Sequence, residues 1–187
     1  MVNIDRSVSI CEIEKQKKYM AKIRSANDAY FEDKGVRRKA FALTLGCQQN
    51  EADSERLMGM AVEMGYEKCD DPDEASLIMV NTCAIREHAE KRALSLVGQY
   101  KHIKNRNPDL MIVICGCMVV QEHRVKDIKM RYPYVDILFG LAAEHYWHLC
   151  SKGIRTNNRC TFNYASVIFR KIKASSALRA YARNNTW

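Results

Sequence analysis

The sequence has no apolar run long enough to cross a bilayer. The longest, residues 110–120, is about half of the roughly 20 residues a spanning helix needs. The first thirty residues are studded with charge and hold no apolar stretch, so no secretory signal is expected. The chain therefore reads as soluble and cytoplasmic, with no membrane partner. There is no C-x-x-C pair, Walker loop, G-x-G-x-x-G, H-E-x-x-H or nucleophile elbow. The missing C-x-x-C pair argues against a closed structural zinc site, with a zinc protein kept as a further reading, and the other absences remove the commonest nucleotide and hydrolase readings. Acids are missing from one stretch: residues 151–187 carry eight Lys and Arg and none of the 22 Asp and Glu. Residues 1–150 are balanced, so the net charge of +8 belongs to this tail. A tail of that kind is either a basic arm for nucleic acid or a segment outside the fold.

What is present is enough for one cored domain: 187 residues, 47% of them hydrophobic. Eight cysteines in a chain with no signal argue for metal or redox chemistry, the alternative being buried free thiols. Residues 1–34 are polar and helix-prone, with Ile13, Met20, Ile23 and Tyr30 near one stripe, and read as an amphipathic helix laid on the core. Thereafter short apolar runs alternate with helices. Strands are predicted at 40–45, 77–80, 110–114 and 135–139, and helices at 51–64, 85–104, 119–132 and 142–150. This alternation implies an α/β fold with a mostly parallel sheet and helices on both faces. The predicted organisation is a helical extension (1–38), a domain (39–150) and the basic tail (151–187).

In a parallel sheet every strand-to-helix turn lies at the carboxyl edge, where ligands bind. That places Cys47, Cys83 and Cys117 on one edge. Unpaired amides near helix N-termini favour thiolate over thiol and attract anions. Gly46 and Gly116 precede two of these cysteines, and their missing Cβ atoms would let a bulky ligand approach the backbone. Three thiols without a fourth partner suit an iron–sulfur cluster with one open iron; a trio of packed cysteines is the alternative. Cys115, two residues before Cys117, is expected to pack. Cys69 falls in a loop, and His88, His102 and His123 are expected in solvent. His145, His148 and Cys150 make only a weak metal group.

The strings around the three cysteines carry a family resemblance. Thr44-Leu45-Gly46-Cys47-Gln48-Gln49-Asn50-Glu51, Val80-Asn81-Thr82-Cys83-Ala84-Ile85-Arg86-Glu87 and Cys115-Gly116-Cys117-Met118 resemble the N-terminal domain of the radical-SAM methylthiotransferases. Pro133-Tyr134-Val135-Asp136-Ile137-Leu138-Phe139-Gly140 resembles that domain's last strand. The first two strings are most similar to the tRNA-modifying MiaB branch, although Gln49 stands where that branch usually has Met. The resemblance implies an auxiliary [4Fe–4S] cluster on Cys47, Cys83 and Cys117, with Gln48, Asn50, Asn81, Thr82 and Arg86 shaping the pocket. It also implies a role in adding a methylthio group to C2 of isopentenyladenosine beside the tRNA anticodon. A complete enzyme of the family carries a radical-SAM domain with C-x-x-x-C-x-x-C, which holds a second [4Fe–4S] cluster and S-adenosylmethionine. That motif is absent from this sequence, so the chain, expected to be a monomer, is not expected to be competent alone. The other branches, or a stand-alone metal- or RNA-binding module, are the alternative assignments.

Overall fold

The computed structural model describes residues 10–83 and 87–139. The helix predicted over 142–150, the His145, His148 and Cys150 group, the tail 151–187 and Arg86 lie outside the described residues.

The elements run in the order α1 (Ile10–Lys34), β1 (Lys39–Leu45), α2 (Gln48–Glu63), β2 (Glu67–Lys68), β3 (Leu77–Thr82), α3 (Glu87–Arg106), β4 (Met111–Gly116), α4 (Glu122–Arg131) and β5 (Ile137–Phe139). All strand pairs are parallel, in the spatial order β2-β1-β3-β4-β5. The expected α/β class with a parallel sheet is what the chain adopts. β1 and β3 are neighbours although β2 lies between them in sequence. The chain reverses its direction of progress across the sheet there, and the carboxyl ends of β1 and β3 flank the switch point where ligands of open α/β sheets bind.

Side chains alternate between the two faces, as the pleat requires. Leu77 and Met79 of β3 and Met111, Val113 and Cys115 of β4 pack with Ile23 and Ala26 of α1 and with Leu57 and Ala61 of α2. Ile78 and Val80, with Ile112 and Ile114, pack against Ala93, Val97, Tyr100 and Ile103 of α3 and Ile128 of α4. Helices therefore cover both faces, and β3 and β4 are buried throughout. Ile23, fully buried among strand residues, ties α1 into this core. Helix α1 also closes the end of α2. Asn27 Nδ2 donates to Met64 O at 2.8 Å and Arg24 to Glu63 O at 3.2 Å, occupying carbonyls that a helix C-terminus leaves without partners.

Two boundaries depart from the sequence reading. β3 and β4 run on through Thr82 and Gly116, residues predicted to turn. Glu67–Lys68 forms a short edge strand that carries no apolar signal.

Candidate metal centre

Leu45, Thr82 and Gly116 stand in one row across the sheet, β1 to β3 to β4. Cys47 lies two residues beyond this row, and Cys83 and Cys117 one residue beyond it. Neighbouring strands are about 4.8 Å apart, so the three turns fall within two strand spacings of one another. The row continues past the strands, because the Cys83 N–H donates to Leu45 O at 3.0 Å. Cys47 and Cys117 are exposed and Cys83 is buried.

Cys47 is the N-cap of α2, in extended conformation, with its side chain and that of Asn50 forming a capping box. Its N–H donates to Asn50 Oδ1 at 3.2 Å and its thiol to the same oxygen at 3.3 Å. The positive end of the α2 dipole lies at this residue, where it favours negative charge on sulfur. Beneath the edge lies a buried polar cluster. Asn50 Nδ2 donates to Asn81 Oδ1 at 3.0 Å. Asn81 Nδ2 donates to Asn50 O at 2.8 Å and to Ser54 Oγ at 3.0 Å, and Thr44 Oγ1 donates to Ser54 Oγ at 2.7 Å. Asn50 and Asn81 are each at most 2% exposed, so these bonds are made away from water.

The glycines serve this cluster. A Cβ at Gly116 would stand 2.6 Å from Asn81 Oδ1 and 2.8 Å from Thr82 N, and φ there is +106°. A Cβ at Gly46 would stand 2.7 Å from Asn50 Cγ. The space expected for a bulky ligand is taken by the protein's own carboxamides and backbone.

Of the residues picked from the sequence, Asn50, Asn81 and Thr82 are buried at the edge and Gln48 is exposed on the first turn of α2. Thr82 Oγ1 is buried without a hydrogen-bond partner among the described residues. Thr44 and Ser54 were missed; the signal for Ser54 was its place four residues after Asn50, on the same helical face. Cys115 packs in the core and His88, His102 and His123 are exposed, as expected. Cys69 follows β2, which among the described residues pairs with the start of β1; its N–H donates to Ala40 O. That level lies about 15 Å below Leu45 along the strand. Burial, working against the nearby Lys39, pushes the Cys69 thiol above its ordinary range.

Among the described residues, no three His, Cys, Asp or Glu side chains close on one point as a single ion requires. A tetrahedral zinc would need its sulfurs within about 4 Å of each other. A four-iron cluster attaches each thiolate to a different iron and so takes them from more widely spaced turns. Three thiol-bearing turns that follow one row of the sheet offer the donor type of the larger group. Among the described residues no helix is long and apolar enough to cross a membrane.

Residues 39–140 match the family described as "Uncharacterized protein family UPF0004". Curated relatives named tRNA-2-methylthio-N(6)-dimethylallyladenosine synthase are also similar to this chain. The one from Clostridioides difficile is 44% identical over 134 residues, covering 72% of this chain and 28% of the relative. That from Clostridium beijerinckii is 52% identical over 100 residues, 54% of this chain and 22% of the relative. That from Geobacillus kaustophilus is 46% identical over 110 residues, 59% of this chain and 21% of the relative. The chain thus spans about a quarter of the length of the relatives it matches.

Proposed function

The chain belongs to the UPF0004 family, which more than half of its residues match, and on that premise we propose that it is the cluster-binding, sulfur-donor domain of a tRNA methylthiotransferase. The observation that carries this reading is the single row at the carboxyl edge from which Cys47, Cys83 and Cys117 all follow. In this reading the three are ligands of an auxiliary [4Fe–4S] cluster, and residues 39–150 are the unit that holds it. The names of the relatives support the reaction: a methylthio group goes to C2 of an N(6)-dimethylallylated adenosine in tRNA, and we place that work in the cytoplasm. The cluster would supply sulfur at its open iron. The chain's own part is to present three thiolates at fixed spacing, with the amino end of α2 beside Cys47 to offset their charge. These 187 residues contain no C-x-x-x-C-x-x-C. Cleavage of S-adenosylmethionine and the second [4Fe–4S] cluster are therefore assigned to residues outside this sequence, and the chain by itself is inactive.

The test is anaerobic reconstitution with iron and sulfide. The wild type is expected to hold about four irons per chain with the visible absorption of a thiolate-ligated cluster. Cys47→Ala, Cys83→Ala and Cys117→Ala should each lose it, while Cys69→Ala, far below the edge, should not. Full iron retention by Cys83→Ala would overturn the ligand assignment.

A further inference from the structure

The buried polar cluster has only one self-consistent arrangement. The Asn50 carbonyl can only accept, so the Asn81 amide nitrogen must face α2, where Ser54 Oγ is its second partner. Asn81 Oδ1 then faces Asn50 Nδ2 at 3.0 Å. That bond turns Asn50 Oδ1 onto Cys47, where it receives both the backbone N–H and the thiol. Reversing Asn50 would set its N–H₂ against the Cys47 N–H and its oxygen against Asn81 Oδ1, so neither bond would survive. On its other side Asn81 Oδ1 lies under the backbone of Gly116, in contact range of any Cβ placed there. Asn81 thus touches the supports of the first and third thiol-bearing turns, and its own strand leads to Cys83, one residue past its end.

We propose that Asn81 is the positioning residue of this edge: through Asn50 it sets the Cys47 turn, and under Gly116 it sets the turn of Cys117, so the three thiols are spaced before any cluster binds. The inference deepens the cluster reading above and takes its functional meaning from it. The carboxamide is suited to this because it donates and accepts at once from a site closed to water. An apolar residue of similar size would fill the space and leave Asn50 free to rotate.

The experiment uses the whole 187-residue chain carrying Asn81→Ala, with Asn81→Asp as the variant that keeps the shape and the acceptor but sets an oxygen against Asn50 O. In the metal-free protein, amide hydrogen exchange at Cys47 should quicken about tenfold or more in both variants, while Val80 and Ile114 in the strand ladder stay protected. After reconstitution, both variants should still take up iron, since all three thiols remain. They should surrender it to a chelator about tenfold faster than wild type. Unchanged exchange at Cys47 would overturn the proposal, as would chelation at the wild-type rate in a variant that had taken up a full cluster. Amide exchange needs no cluster. A wild type that bound no iron would therefore count against the reading under Proposed function, while the exchange result would still decide the role of Asn81.

Discussion

Gly116 and Gly59 are the same residue under opposite demands. At Gly116 φ is +106° and an added Cβ would meet the Thr82 backbone and Asn81 Oδ1, neither of which can yield without breaking the edge. Gly59 is exposed on α2 with nothing near its missing Cβ. Gly116→Ala should therefore cost about 3 kcal/mol or more, combining a sparsely populated backbone conformation with a backbone clash. Gly59→Ala should stabilise by about 0.5–1 kcal/mol through helix propensity alone. Urea denaturation of the two variants checks the contrast, and equal shifts in midpoint would refute it. The sequence exposed the glycines beside the cysteines but misread their purpose. A missing Cβ is visible in the sequence, whereas the Asn50 and Asn81 carboxamides that occupy its place come from positions 31 residues apart and meet only in the fold.

At the level of elements, the apolar strands and the helices between them were legible because burial on both faces writes itself as continuous apolar runs. The two failures share a cause. β3 appeared to end at Val80 because Asn81 and Thr82 are polar. Yet both are buried in the ladder, where the Asn50 pairing satisfies the Asn81 side chain. β2 is two charged, exposed residues paired through the backbone to the edge of β1, a kind of strand that leaves no apolar side-chain pattern. The helices on the far face are held by charge as well as by packing. Lys104, near the end of α3, donates to Leu110 O and pairs with Asp136 at 2.8 Å, and Asp136 also accepts from the Ile112 N–H at 2.9 Å. Asp136 leads directly into β5, so this one carboxylate joins α3, β4 and β5. Both partners are largely buried, and removing one leaves the other charge with lost partners. Asp136→Ala should cost about 2–4 kcal/mol, and Lys104→Ala nearly as much. The double variant should lose clearly less than the sum of the two. Additive losses in a double-mutant cycle would show that the pair is not coupled.

Across the whole molecule, buried tyrosines contribute a response of stability to alkali. Tyr66 packs between α1, α2 and the sheet at 3% exposure, and burial raises its phenol above the ordinary value, outweighing the opposing pull of Arg38. Tyr100 and Tyr134, on the α3 face, are raised by burial in the same direction. A phenol that stays protonated when folded gives up its proton on unfolding once the pH passes its free value of about 10. Above that pH the unfolded chain binds fewer protons than the native one, so unfolding is increasingly favoured. Stability should hold steady up to about pH 9.5 as far as these groups are concerned, then fall as the pH rises toward the folded pKa values. The contribution of Tyr66 to that slope should be on the order of 1 kcal/mol per pH unit. Tyr66→Phe keeps the ring and removes the proton, so its urea midpoint should decline less steeply than wild type between pH 10 and 11. If the two declined in parallel, ionisation of Tyr66 would not be part of the alkaline transition, and the buried face shared by α1 and α2 would not be what alkali opens.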